Sequence, residues 1–338
     1  MNVNKSMVAA FILVLAGAGF ATAQQPAQRS STAAQKPQVI IYHTESLTPA
    51  FNALAAAFTK KTRIPVVHQG FGAVDAARRA TVGKEPVDIY VTVDYNIIDA
   101  YLKPDFADYN IRFSTGAEVL AYTTTSRGAS VITAANANFN PPAAVPSVIM
   151  GWFSFLAADS VRIAGSAPSL DPGGYRALMG MQLAEQLFTL PYGTLQNKYT
   201  VADSGKTLGT DYDFTFVYEH SAREAVKTNP NYRYARLPAP VAQTDPTWEQ
   251  RYSRVRYQIP GVQDMRSRTI PGTRIMFGLT VLKNAPHAAE AIQFLEFILS
   301  QEGMDIQRTA GLDPIPATAL QDDIQKLPAS LKTLVTAQ

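Results

Sequence analysis

Apolar and polar positions fall into blocks along this chain, and the blocks repeat a strand-then-helix order. Gln38-Val39-Ile40-Ile41-Tyr42 is a nearly unbroken apolar run, the mark of a strand buried on both faces. Leu47, Phe51, Leu54, Ala55 and Phe58 then recur at helical spacing, with Pro49 suited to the first turn. Pro65-Val66-Val67-His68 predicts a second strand and 73–80 a short helix. Val87-Asp88-Ile89-Tyr90-Val91-Thr92-Val93 predicts a third strand, followed by a helix over 96–102. This β-α-β-α-β alternation implies α/β lobes built on doubly wound, parallel sheets.

Further along, Glu118-Val119-Leu120-Ala121-Tyr122 is another strand. It runs into polar Thr123-Thr124-Thr125-Ser126, a stretch suited to carry the chain into a second lobe. Asn140-Pro141-Pro142 is a loop. Val161-Arg162-Ile163-Ala164, a helix over 174–188 and a strand over 214–218 would furnish that lobe. Pro271-Gly272 would return the chain to a strand over 275–281 and an amphipathic helix over 288–299. The expected organisation is one lobe made of 37–124 and 274–338, with a second lobe, 125–273, inserted and joined to it by a hinge. No internal repeat is visible.

Ahead of the first strand, Lys5 precedes an apolar run over 7–20, and Ala21-Thr22-Ala23 has the small-x-small pattern of a cleavage site. A signal peptide over 1–23 is expected, cut near Ala23, with 24–36 as a disordered polar leader. The run is too short to span a bilayer comfortably. The chain has no cysteine, which excludes disulfides, thiolate metal sites and a lipidated cysteine anchor. Its 30 basic and 27 acidic residues leave +3, or +2 once Lys5 is removed, too little bias to argue for nucleic acid or a membrane surface. A periplasmic monomer without a cofactor is expected.

The motifs of common catalysts are missing: there is no G-x-S-x-G, H-E-x-x-H, Walker A or cysteine nucleophile. An enzyme is therefore not expected. Gly70-Phe71-Gly72 starts like a dinucleotide fingerprint, but Asp75 occupies its third glycine position. His43, His68, His220 and His287 have no metal-ligand spacing, and His43 falls at the carboxyl end of the first strand, where open α/β sheets bind ligands.

Three strand-to-helix junctions carry the interest. Ser46 fits either a helix N-cap or a hydroxyl that joins helix amides in holding an anion. Gly72 and Ala73 allow either a tight turn or close backbone approach to a ligand. Asp171-Pro172-Gly173-Gly174-Tyr175-Arg176 opens a helix, with Asp171 either capping it or facing a cleft.

At these junctions the chain resembles the tungstate/molybdate-binding components of ABC importers, over about 39–316. Ile41-Tyr42-His43-Thr44-Glu45-Ser46-Leu47 looks like the family's strand and Gly-Ser-Leu loop, and Val93-Asp94-Tyr95 its Ala-Asp-Tyr segment. Asp171-Pro172-Gly173-Gly174-Tyr175-Arg176 resembles its Asp-Pro-Cys-Gly-Tyr-Arg motif, and 278–285 its return strand. The resemblance implies a periplasmic-binding-protein-like fold (class II) that grips an oxyanion between its lobes and delivers it to a membrane permease. It implies ligand contacts at Ser46, Gly72, Ala73, Asp171, Gly173, Gly174 and Tyr175. Three departures stand out: Ala73 replaces the second loop serine, Glu45 replaces a glycine, and the family's second carboxylate has no matching glutamate. Asp203 lies near that last place. The same fold taking phosphate, an organic anion or a cation held by His43, Glu45, Asp171 and Glu219 stays open, as does a sensor or scaffold role.

Overall fold

The computed structural model describes residues 37–137, 153–203, 205–261 and 266–338. The expected signal peptide, the leader and the Asn140-Pro141-Pro142 loop lie outside the described residues.

Seven strands form the first sheet: β1 (Val39–Thr44), β2 (Val66–Phe71), β3 (Ile89–Thr92), β4 (Ile111–Thr115), β12 (Met276–Val281), β13 (Asp313–Ala319) and β14 (Thr336–Ala337). Their order is β14-β13-β4-β12-β3-β1-β2. The parallel expectation holds for β1 with β2 and β3, whereas β12 runs antiparallel to β3 and β4. Burial follows position. Every residue of the interior strands β3 and β12 is buried, while β2 at the edge alternates between half-buried and exposed.

Two helices cover this sheet's core. Helix α1 (Thr48–Thr62) buries Phe51, Leu54 and Phe58, and ends at Arg63 in the left-handed region, φ 66°. Further along, α6 (Ala288–Leu299) buries Phe294, Leu295 and Ile298. Phe58 and Phe294 meet edge to face at 4.9 Å, each burial contributing about 1.5–3 kcal/mol. Helix α2 (Ala73–Ala80) and α6 occupy the stretches that periodicity assigned. The helix expected over 96–102 is present, its last five residues, Ile98–Leu102, wound as a π turn.

A second sheet, ordered β7-β6-β8-β5-β9, contains β5 (Glu118–Thr123), β6 (Ile163–Gly165), β7 (Tyr199–Val201), β8 (Phe214–Tyr218) and β9 (Tyr232–Arg236). Against it pack α3 (Ala129–Ala137), α4 (Pro172–Leu187) and α5 (Glu219–Thr228), while β10 (Arg256–Ile259) and β11 (Arg268–Pro271) make a separate antiparallel pair.

The sheets move one expected boundary. The sequence placed 118–124 in the first lobe, yet β5 pairs with β8 and β9 in the second sheet. The chain crosses at Gly116 and Ala117, where Gly116 N–H donates to the Ile275 carbonyl and Ala117 accepts from Glu219 N–H. Polar Thr123-Thr124-Thr125-Ser126 is a turn at the far end of β5, closed by Ser126 N–H on Thr123. A polar run marks exposure, and a turn is exposed as readily as a crossing. The return passes through 272–275, where Ile275 N–H bonds the Gln243 carbonyl.

Behind that return lies a buried ion pair. Arg176 of α4 meets Asp94, just past β3, at 2.7 Å, both side chains 0% exposed. Asp94 also accepts from Tyr175 Oη and from Asn96, and Arg176 donates to Gln243 Oε1 and to Thr273. No helix among the described residues is long and apolar enough to cross a membrane.

Removing one member of a buried pair strands the other charge, at about 3–5 kcal/mol. Arg176→Met therefore lowers unfolding stability by that amount in guanidinium titration. An unchanged midpoint refutes the role.

Candidate functional site

The three junctions read from the sequence come together where the sheets face each other. Leu170, immediately before α4, accepts a hydrogen bond from Val74 N–H in the first turn of α2, at 3.0 Å. Gly72 makes that approach possible, because a Cβ there would lie 2.7 Å from the Leu170 carbonyl oxygen. Beside this contact, Ser46 and His220 of α5 line one cavity. The His220 ring stacks on Tyr218 at 5.6 Å. Tyr218 in turn borders α4, its Cε2 3.7 Å from where a Gly173 Cβ would stand.

Ser46 does not cap a helix. It sits inside a one-turn 3-10 segment, Glu45–Leu47, and α1 starts after Leu47 with no side-chain cap. Its Oγ is shut off from solvent and has no partner among the described residues. Several described residues share that condition, and three of them lie along this run of contacts: Tyr218 Oη, His220 Nε2 and both carboxyl oxygens of Glu118. Buried polar groups in folded proteins are nearly always paired, so such a cluster marks a place where a ligand completes the bonding.

Asp171 does cap. Its Oδ1 accepts from Gly173 N–H at 2.8 Å and from Ser166 Oγ at 3.1 Å. Burial raises its carboxyl above the ordinary range, those two bonds oppose the shift, and the charge of Glu45 adds to it.

These bonds engage several of the groups expected to meet a ligand. Gly173 N–H is committed to Asp171, and Gly174 N–H bonds the Asp171 carbonyl. Gly174 is small because Ser166 and Pro168 press on it, with the Ser166 carbonyl oxygen 2.4 Å from a would-be Cβ. Tyr175 is fully buried, and its hydroxyl donates to Asp94 at 2.7 Å, so it serves the ion pair. Gly72 serves lobe contact. Ala73 is buried, its carbonyl accepting from Tyr90 Oη.

The cation alternative loses its ligands in the same way. His43 bonds the Thr44 carbonyl and His68, Glu219 is held by Arg223 and Arg236, and Asp203 pairs with Lys206 at an exposed position. Among the described residues, no three histidine or carboxylate side chains converge as a metal site. Sequence reasoning did not single out Glu118 or Tyr218 as candidates. An acidic residue heading an otherwise apolar strand was the one signal available.

The family described as bacterial extracellular solute-binding protein matches residues 39–313. The molybdate/tungstate-binding protein WtpA of Pyrococcus abyssi is 27% identical over 314 residues, 82% of this chain and 85% of its own. WtpA of Thermococcus kodakarensis is 26% identical over 340 residues, 90% of this chain and 89% of its own. Two solved structures share the fold: the Azotobacter vinelandii periplasmic molybdate-binding protein (TM-score 0.53, 17% identity, 81% of this chain and 98% of that one), and the sulfate-binding protein SubI of Mycobacterium tuberculosis (TM-score 0.56, 13% identity, 89% and 94%). The chain has the two-lobed, class II periplasmic-binding-protein fold.

Gly72→Ala should wedge the lobes apart at Leu170, increasing the radius of gyration in small-angle scattering. An unchanged radius refutes the close-approach argument. The histidines give a pH test. Burial lowers His43 and His220 to about 4, the neighbouring carbonyls of Thr44 and Ser46 opposing the shift. The unfolded chain takes these protons near pH 6.5, before the folded chain does. Stability is therefore fully present above that pH and falls toward pH 4, by up to about 3 kcal/mol per ring. Unfolding titrations of a His43→Gln, His220→Gln chain should lose this slope, and a retained slope counts against it.

Proposed function

This chain belongs to the bacterial extracellular solute-binding protein family, and from that premise we propose that it captures molybdate or tungstate for an ABC importer. The carrying observation is the Ser46 hydroxyl, buried and unpartnered where the loops of both lobes meet. A tetrahedral oxyanion offers acceptors only, and that is what a stranded hydroxyl lacks. The relatives whose names specify molybdate and tungstate cover most of both chains, which supports carrying their ligand class over.

In this reading Ser46 and Asp171 contact the anion from opposite lobes. The crossings at 116–117 and 272–275 act as the hinge, and a membrane permease recognises the closed, loaded form. The chain performs no catalysis. It is exported to the periplasm after cleavage near Ala23 and works there as a monomer.

Thermal unfolding tests the ligand. Sodium molybdate or tungstate at a hundred times its dissociation constant should add about 2.7 kcal/mol of stability. Ser46→Ala should bind these anions about 10- to 100-fold more weakly, the loss of one hydrogen bond to a charged partner. A shift with phosphate or a divalent cation, and none with either oxyanion, overturns the proposal.

A further inference from the structure

Glu118 begins β5, one residue past the crossing between sheets. It is only 1% exposed, and neither carboxyl oxygen has a partner among the described residues. Directly opposite on the antiparallel ladder stands Tyr218. Opposed residues of such a pair project from the same face, and the Tyr218 hydroxyl is likewise buried and unpartnered. The Tyr218 ring lies between His220, which shares a cavity with Ser46, and Gly173, which bonds Asp171. The pair is thus seated between the two loops already assigned to the ligand.

We infer that Glu118 is a ligand-contacting, specificity-determining residue that acts as a neutral carboxylic acid, donating with Tyr218 to the bound oxyanion. This rests on the function proposed above. An ionised carboxylate sealed from water without a donor is among the most unfavourable arrangements a protein can hold. Arg176, whose charge reaches Glu118, is committed to Asp94, Gln243 and Thr273. Burial drives the Glu118 carboxyl well above the usual range; Arg176 opposes the shift and Asp171 adds to it. Protonated, Glu118 supplies an O–H donor where an ionised one would repel the anion.

The arrangement also selects. Three O–H groups, from Ser46, Tyr218 and Glu118, suit a fully deprotonated dianion. An anion carrying its own proton, such as hydrogen phosphate, sets a donor against a donor and leaves one hydrogen unpaired.

Titration calorimetry with sodium tungstate tests this on the mature chain. Glu118→Ala should bind about 10- to 100-fold more weakly, while Glu118→Gln, which keeps an N–H donor, should stay within about threefold of the unsubstituted chain. Ala matching the unsubstituted chain, or Gln as weak as Ala, overturns the inference. A second measurement does not depend on ligand identity. Ligand-free Glu118→Leu should raise the thermal midpoint by about 2–4 °C, because it removes an unpaired buried acid. A lowered midpoint means the carboxyl is held by the protein itself and overturns the inference. Failure of the unsubstituted chain to bind either oxyanion refutes the proposed function instead, and the midpoint then decides the role of Glu118.

Discussion

The buried pair of Arg176 and Asp94 constrains everything around it. Two charges without solvent contact are tolerated only when their hydrogen-bonding capacity is filled. Here Tyr175, Asn96, Gln243 and Thr273 fill it. These partners come from both sides of the 272–275 crossing, so the network fixes how α4 enters the space between the sheets. The position of the α4 N-terminus, and with it Asp171, follows from a bond made one helical turn later.

The same pair sets the electrostatic character of the gap. Arg176 could neutralise an anion, but its guanidinium is saturated by Asp94, Gln243 and Thr273. Arg223 and Arg236 are held by Glu219. The unpartnered groups left over are hydroxyls, a neutral ring and a carboxyl. A site of this kind recognises an anion by hydrogen-bond geometry instead of opposite charge. Such bonds gain strength in a dry setting, and they discriminate by proton count, which a point charge does not do.

Local patterns exposed the scaffold well. The helices at 73–80 and 288–299 and the strand at 214–218 appear at their expected limits, because each is decided by periodicity within its own segment. The lobe boundary was not legible, since Thr123–Ser126 is equally polar as a turn or as a crossing, and only strand pairing separates these. The bond that Tyr175 makes was illegible for a related reason. Its neighbours suggest a cleft, but the partner that claims its hydroxyl, Asp94, lies 81 residues away in sequence. Glu118 gave only a faint signal. A single acid at a strand's start is ordinary, and what distinguishes this one is burial without a partner, a property of tertiary packing.

The unpaired groups also explain why the lobe contact is built from backbone. Each buried group left without a partner costs about 1–3 kcal/mol, so a closed gap without its solute is penalised several times over. Closure is instead stabilised at its margin by the Val74–Leu170 bond and the close approach at Gly72, contacts that depend on no ligand. On the proposed function, a solute that fills the centre removes that penalty and adds to these contacts. A binding protein needs that property, because its partner must tell loaded from empty. Repacking the centre with apolar residues would improve the fold and erase the distinction.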